Sequence, residues 1–280
     1  MQTFLPYPDF AASAAVLDRS RLGKQRVETL QLLRALTIPD YGWQRHPATR
    51  MWMGHVPGLA GYGLAIADEW MARGNADSTR ANILEFAPEL AAGTRAAALA
   101  LPPWLGDEAF HRSHRSNLVR KDPGHYGPLF PNCMADLEYV WPEPERTLLP
   151  AEPETGRIWI LRMPAELAES GGLVAPGNPG TALPSGAPFT LSLRRAAPHG
   201  RKSPKRARQV DAFVGTLEVG DAVALPLDSG GFALATVAGP LAENDGVLRR
   251  PAVFERMVPR AFFADPARLQ DPRAFFAVPG

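Results

Sequence analysis

Apolar residues recur at helical spacing through the first half of the chain and at roughly alternating spacing through the second. Over residues 21–36, Leu22, Leu30, Leu33 and Leu36 share one face of a 3.6-residue period. The stretches "VPGLAGYGLAIADEWMARG" at 56–74 and "TRANILEFAPELAAGTRAAALA" at 79–100 continue that texture. Between them "TIPDYGW", "RGNADS", "ALPPWLGDE" and "RKDPGHYG" predict turns. A Pro- and Glu-rich stretch, "WPEPERTLLPAEPETG", then interrupts the pattern. Beyond it, "RIWILRM", "FTLSLR", "DAVALPL", "GFALATVAG" and "AVFERMV" are short β-like runs bounded by Gly, Pro and Asp, with a low-complexity loop predicted at 168–188. The expected architecture is α+β in two domains: an all-helical domain over 1–142, a linker over 143–156, and a small β-rich barrel over 157–280.

Composition changes this picture little. With 280 residues and 45% hydrophobic content the chain can bury a real core. It has no apolar run near the roughly 20 residues that span a bilayer, and "MQTFLPYPDF" lacks the plan of a signal peptide, so a cytoplasmic monomer with no membrane partner is expected. Cys133 is the single cysteine, which excludes an intrachain disulfide and a Cys-based zinc site.

Charge is more informative in its distribution than in its sum of +1. Between Arg19 and Arg50 seven cations face two acids, Glu28 and Asp40. "HRSHRSNLVRK" at 111–121 has four cations, two histidines and no acid, and "RRAAPHGRKSPKRAR" at 194–208 has seven cations and no acid. Local basic islands in a nearly neutral chain suit polyanion binding at selected places.

Within the first island, Arg21, Gln25, Glu28 and Leu32 form an i, i+4, i+7, i+11 stripe along the border of the apolar face. Arg26 falls inside that face and must find a carboxylate, a carbonyl or a phosphate. Periodicity alone reads Glu28 most simply as a surface counter-ion. In "GWQRHPATRMWMGH" at 42–55, Trp43, His46, Arg50, Trp52 and His55 cluster; core packing by the tryptophans, or stacking on nucleic acid by one of them, fits better than a metal site, because the histidines lack further ligands nearby. In the second island His111 and His114 share a helical face, and with Arg112, Arg115, Arg120 and Lys121 they suggest phosphate contact.

Taken in order, "MQTFLPYPDF", "LDRSRLGKQRVETLQLLRAL", "GWQRHPATRMWMGH", "FHRSHRSNLVRKDPGHYGPLF" and "EYVWP" resemble the pyrimidine-dimer DNA glycosylase family, the phage-type repair endonuclease V, over about residues 1–142. The resemblance implies a helical domain that flips a nucleotide out of double-stranded DNA. It implies attack by a terminal α-amine on the sugar C1′, release of the base through an imine, and β-elimination of the strand, so an AP lyase as well as a glycosylase, with no cofactor. Gln2 is too bulky for ordinary methionine removal, so the amine would be that of Met1. The position of Glu28 matches the family's catalytic glutamate. Arg19, Arg21, Lys24, Gln25, Arg26, His46, Arg50, His111, Arg112, His114, Arg115, Arg120, Lys121 and Tyr126 are then expected at the DNA. General chemistry agrees with such a use of the terminus: an α-amine, near 7.7–8.0 against about 10.4 for lysine, is partly neutral and nucleophilic at neutral pH, and a carboxylate beside it can relay protons.

The second half resembles PUA-like or EVE-like modules, which take a modified base into a pocket. The resemblance suggests Trp159, Arg162, Phe213, Phe232 and Arg250 as its lining, although barrel core is the ordinary fate of Trp159 and Phe232. Two functional classes follow: a DNA glycosylase for damaged or modified pyrimidines, or a non-catalytic reader of modified nucleic acid, either of them compatible with defence against phage DNA.

Overall fold

The computed structural model describes residues 1–92, 101–144, 147–170, 184–196, 203–227 and 230–280. The end of the 79–100 stretch, most of the 168–188 loop and part of the third basic island lie outside the described residues. The chain divides into two compact units, Met1–Ala151 and Glu152–Gly280.

The first unit is helical. Its α-helices are α1 (Phe10–Ala15), α2 (Arg19–Thr37), α3 (Pro47–Arg50), α4 (Val56–Ala72), α5 (Arg80–Leu84), α6 (Glu108–Lys121) and α7 (Pro123–Tyr126). Helix α2 starts where it does because the Asp18 carboxylate accepts from the Ser20 and Arg21 amides, and it ends just before Pro39. Asp9 and Asp107 cap α1 and α6 in the same way. Leu22, Leu30, Leu32 and Leu33 of α2 are buried, each contributing roughly 1.5–3 kcal/mol of hydrophobic stabilisation. Helix α2 packs on α4 closely enough that a Cβ on Gly63 would lie 2.6 Å from Thr29 Cγ2. A glycine is required at that approach.

Ahead of α1, residues 2–5 are buried without being helix or strand. Their backbone groups therefore need partners from side chains. The Gln2 amide reaches Glu28 Oε2 at 3.4 Å, the Thr3 amide Gln2 Oε1 at 2.8 Å, the Phe4 amide Gln25 Oε1 at 3.1 Å and the Leu5 amide His114 Nδ1 at 3.2 Å. The Leu5 carbonyl accepts from His111 Nδ1 at 2.8 Å, and the Pro6 carbonyl from Arg115 at 2.7 Å. The segment is thus laced to α2 and α6 by polar side chains.

The second unit is built on one seven-stranded sheet: β1 (Arg157–Leu161), β2 (Pro188–Arg194), β3 (Ala222–Pro226), β4 (Phe232–Val237), β5 (Ala242–Asn244), β6 (Val247–Val258) and β7 (Phe275–Pro279). The order is β2-β6-β4-β3-β1-β7, with β5 paired to β6; β1 and β3 are parallel and the other pairs antiparallel. Helices α8 (Ala165–Ser170) and α9 (Pro204–Gly215) complete it. The tight β5–β6 turn uses Asp245 and Gly246, both at positive φ, as a two-residue hairpin of this hand demands.

The expected barrel is not closed: the end strands β2 and β7 do not pair, and the sheet stays open. The central strands are apolar on both faces. One face buries Trp159, Leu161, Val223 and Phe275 with Val210 and Phe213 of α9; the other buries Ile158, Ile160, Ala224, Phe232, Phe276 and Val278 with Phe263 and Leu269. A sheet with two covered faces is a layer in a sandwich of elements, whereas closure of a small barrel would leave one face outward.

Candidate active site at the first residue

Glu28, one turn after Gln25 on α2, is 8% exposed and sits at the meeting point of helix and terminus. The Met1 amine lies 3.9 Å from Glu28 Oε1, and Lys24 Nζ lies 3.5 Å from the same oxygen. Glu28 Oε2 accepts from Gln25 Nε2 at 2.8 Å besides the Gln2 amide. The Gln25 orientation is forced by its other end: Oε1 takes the Phe4 amide at 3.1 Å and the Tyr62 hydroxyl at 2.7 Å, so only its NH2 is left to face the carboxylate. Burial holds the Tyr62 hydroxyl far above its ordinary range, so it acts as a donor.

The α6 histidines complete the hold on the terminus. His111 donates from Nδ1 to the Leu5 carbonyl and accepts the Gly106 amide at Nε2, 3.0 Å away, so it is the neutral Nδ1–H form. His114 accepts at Nδ1 and is wholly buried, which lowers its pKa to about 3. Trp52 donates to Thr3 Oγ1 at 3.2 Å.

Met1, Gln2, Phe4 and Glu28 open onto a cleft of about 470 Å³. Arg21, Lys24 and Lys121 bring positive charge to its lining, with Ser20 beside them; His46, Tyr139 and Trp141 bring rings. His46 caps α3 by accepting the Ala48 amide at Nδ1, 3.1 Å, so the neutral ring carries its proton on Nε2. Burial, and then the nearby terminal ammonium, depress its pKa. Two polar groups of the lining, the Gln2 side-chain amide and the Tyr139 hydroxyl, are buried together; burial pushes the Tyr139 pKa up to about 12, and the Gln2 side chain partly offsets that rise. Among the described residues no group of three or more His, Cys, Asp or Glu could hold a metal ion.

Several expected DNA contacts take other positions. Arg26 is paired with Asp77, whose side chain is fully buried, and lies 4.2 Å from the Trp70 ring centroid. Its guanidinium has found a carboxylate, so the phosphate contact expected of it is replaced by a structural pair. His111 and His114 face inward onto Leu5 for the reason given above, and their buried rings cannot meet a phosphate. Tyr126 is fully buried, its hydroxyl donating to Asp18 Oδ2 at 2.5 Å. Gln25 is fully buried and acts on Glu28 and Phe4.

Of the cations, Lys24 is 72% exposed and Arg112, Arg120 and Lys121 are also exposed. Arg19 reaches Asn75, Arg50 reaches Glu143 at 3.2 Å, and Arg115 is held by Glu108 and the Pro6 carbonyl. Arg21 pairs with Asp18 at 2.6 Å while still lining the cleft. Gln2, Phe4, Ser20, Tyr139 and Trp141 of the lining were not expected as site residues; "EYVWP" signalled the last two only as part of a motif.

In the second unit the five residues expected at a base pocket do not line one cavity among the described residues. Trp159 stacks on Phe275 at 4.6 Å within one core and Phe213 joins it from α9, whereas Phe232 belongs to the opposite face. Arg250 donates to the Phe213 and Val214 carbonyls, and Arg162 to those of Leu269 and Arg273. Side chains on opposite faces of one sheet cannot line one cavity.

No helix among the described residues is long and apolar enough to cross a membrane. No curated protein and no solved structure matches the chain. The amino-terminal part of the chain, residues 1–82, which carries Met1, Gln25, Glu28 and His46, matches the model of the pyrimidine dimer DNA glycosylase family.

Proposed function

We propose that this protein is a DNA glycosylase for damaged or modified pyrimidines, with AP-lyase activity, and that its helical domain binds double-stranded DNA with the target nucleotide turned out of the helix. The observation that carries the reading is the Met1 amine beside the buried Glu28 carboxylate, 3.9 Å away, in a cation-lined cleft. The family match over residues 1–82 supports the same class of chemistry.

In this reading Glu28 takes a proton from the terminal ammonium, and the neutral amine attacks C1′. The N-glycosidic bond breaks, its electron pair leaves with the base, and the proton taken up by Glu28 passes to the base, which leaves Glu28 ionised again. The sugar ring opens to an imine, loss of a C2′ proton expels the 3′ phosphate, and water hydrolyses the imine to restore the amine. The ionised Glu28 stabilises the cationic sugar, and Lys24, Arg21 and Lys121 offset phosphate charge. The Gln2 side-chain amide and the Tyr139 hydroxyl, which line the cleft, supply hydrogen bonds to the flipped residue.

Borohydride reduction during incubation with abasic and ultraviolet-treated duplexes tests the proposal. A covalent protein–DNA adduct that maps to Met1, and that disappears when the terminus is acetylated or when Glu28→Gln is used, is the expected result. Binding that persists with no adduct on any substrate would instead make the protein a non-catalytic reader of modified nucleic acid.

A further inference from the structure

Trp43 is the only one of the six tryptophans left exposed, at 55%. It also has a backbone φ of +74°, a left-handed conformation that an L-residue adopts at a cost. The conformation is fixed from its carbonyl, which accepts from the fully buried Thr49 hydroxyl at 2.8 Å and from the His46 amide at 3.0 Å. A glycine would hold the same turn without strain. The strained backbone and the exposed indole thus coincide at one residue, so folding alone explains neither.

Its surroundings say what the indole is presented to. Trp43 meets the His46 ring edge-on at 5.5 Å, and His46 meets Trp141 at 6.1 Å; both of these neighbours line the cleft at Met1. The cleft brings Arg21, Lys24 and Lys121, and the loop itself carries the exposed Arg45. A cationic ligand is disfavoured there. A flat, π-rich, anionic polymer fits both the ring and the charge.

We infer that Trp43 is a stacking platform for a nucleobase that has lost its stacking neighbour beside the flipped nucleotide. This rests on the DNA-site reading above. Turning one nucleotide out leaves the faces of adjacent or opposite bases uncovered, and an exposed indole one ring beyond the cleft lining, against His46, covers one of them. The residue positions the duplex and takes no part in bond making.

The test is equilibrium binding of a labelled duplex carrying one tetrahydrofuran abasic analogue, which cannot form the imine, against the intact duplex. The wild type is expected to prefer the abasic analogue. Trp43→Ala should lose that preference about tenfold, as base–aromatic stacking predicts, with binding to the intact duplex little changed. Trp43→Phe should keep most of it. Trp43→Gly should lose it while raising the melting temperature, because strain is relieved when the ring is given up. Trp43→Ala binding the abasic duplex as tightly as the wild type, or losing the same factor on both duplexes, overturns the inference and leaves the active-site reading standing. A wild type that binds neither duplex overturns both.

Discussion

Gln25 Nε2 donates to Glu28 Oε2 at 2.8 Å, one helical turn away, and the other end of the same amide receives the Phe4 backbone and Tyr62. One buried side chain therefore fixes both the carboxylate and the segment that delivers the terminal amine to it. Helix α2 supplies the rigid spacing, and the amide supplies the direction.

Replacing Gln25 by Leu should damage stability and chemistry together. The Phe4 amide loses its partner in a buried place, which costs roughly 1–3 kcal/mol, and Glu28 Oε2 keeps only the longer contact from the Gln2 amide. Urea denaturation reads the loss in stability. Adduct yield at a temperature where the variant is still folded reads the misplacement of the amine; a yield equal to the wild type would show that Gln25 has no hold on the amine.

Acid should weaken the fold before ordinary carboxylates protonate. His114 is held neutral by burial, with a folded pKa near 3 against 6.5 for an unperturbed histidine, and burial lowers the His111 pKa too. A depressed histidine pKa means the unfolded chain binds more protons between those values, so this stability is complete above pH 6.5 and declines as pH falls toward 3. The slope from one such group reaches at most about 1.4 kcal/mol per pH unit. His114→Gln, which keeps an acceptor for the Leu5 amide, should flatten the decline in denaturation midpoints between pH 6 and 4. Asp18, lowered to about 2, adds loss only below the normal carboxylate range.

Arg26 and Lys24 should separate structure from DNA binding. Arg26→Ala leaves the Asp77 carboxylate with its hydrogen bonds from Thr79 and the Arg80 amide but without its cation, a change that costs roughly 1.5–3 kcal/mol, and should leave the salt dependence of DNA binding untouched. Lys24→Ala removes an exposed charge at the cleft and should lower the slope of log affinity against log salt by about one, with little change in melting temperature. A reduced salt slope in Arg26→Ala would return that residue to the DNA surface.

Gly63→Val should destabilise by roughly 1–3 kcal/mol, because any Cβ there meets Thr29 across the α2–α4 contact. Thermal melts of Gly63→Val alone and with Thr29→Ser, which removes the obstructing methyl, would show partial recovery in the pair.

Much of this was legible from residue pattern and much was not, for reasons of range. The runs at 157–163, 189–194, 221–227, 231–239 and 252–258 carry strands because alternation and turn residues are local signals. Strand β7, "FFAVP", carries no such signal, because five residues between prolines and a glycine show no period, and the dense charge of 194–208 masks the start of α9. The open edge of the sheet depends on pairing between distant strands, which alternation does not encode. In the site, Glu28 stands out in the sequence as an acid among cations, and the catalytic role proposed for it rests on resemblance. His111 and His114 misled because imidazoles among arginines look like phosphate ligands, and only tertiary burial shows them turned onto a backbone 106 to 109 residues away.

That separation has a consequence for the order of assembly. Residues 2–6 are held by groups from α2, α4 and α6, and the last of these, residues 111–115, lie more than a hundred residues further along the chain. During synthesis the contacts with α2 and α4 can form early, whereas those of Leu5 and Pro6 must wait until α6 has emerged. The segment therefore acquires its full set of native contacts only once the helical unit around it is nearly complete.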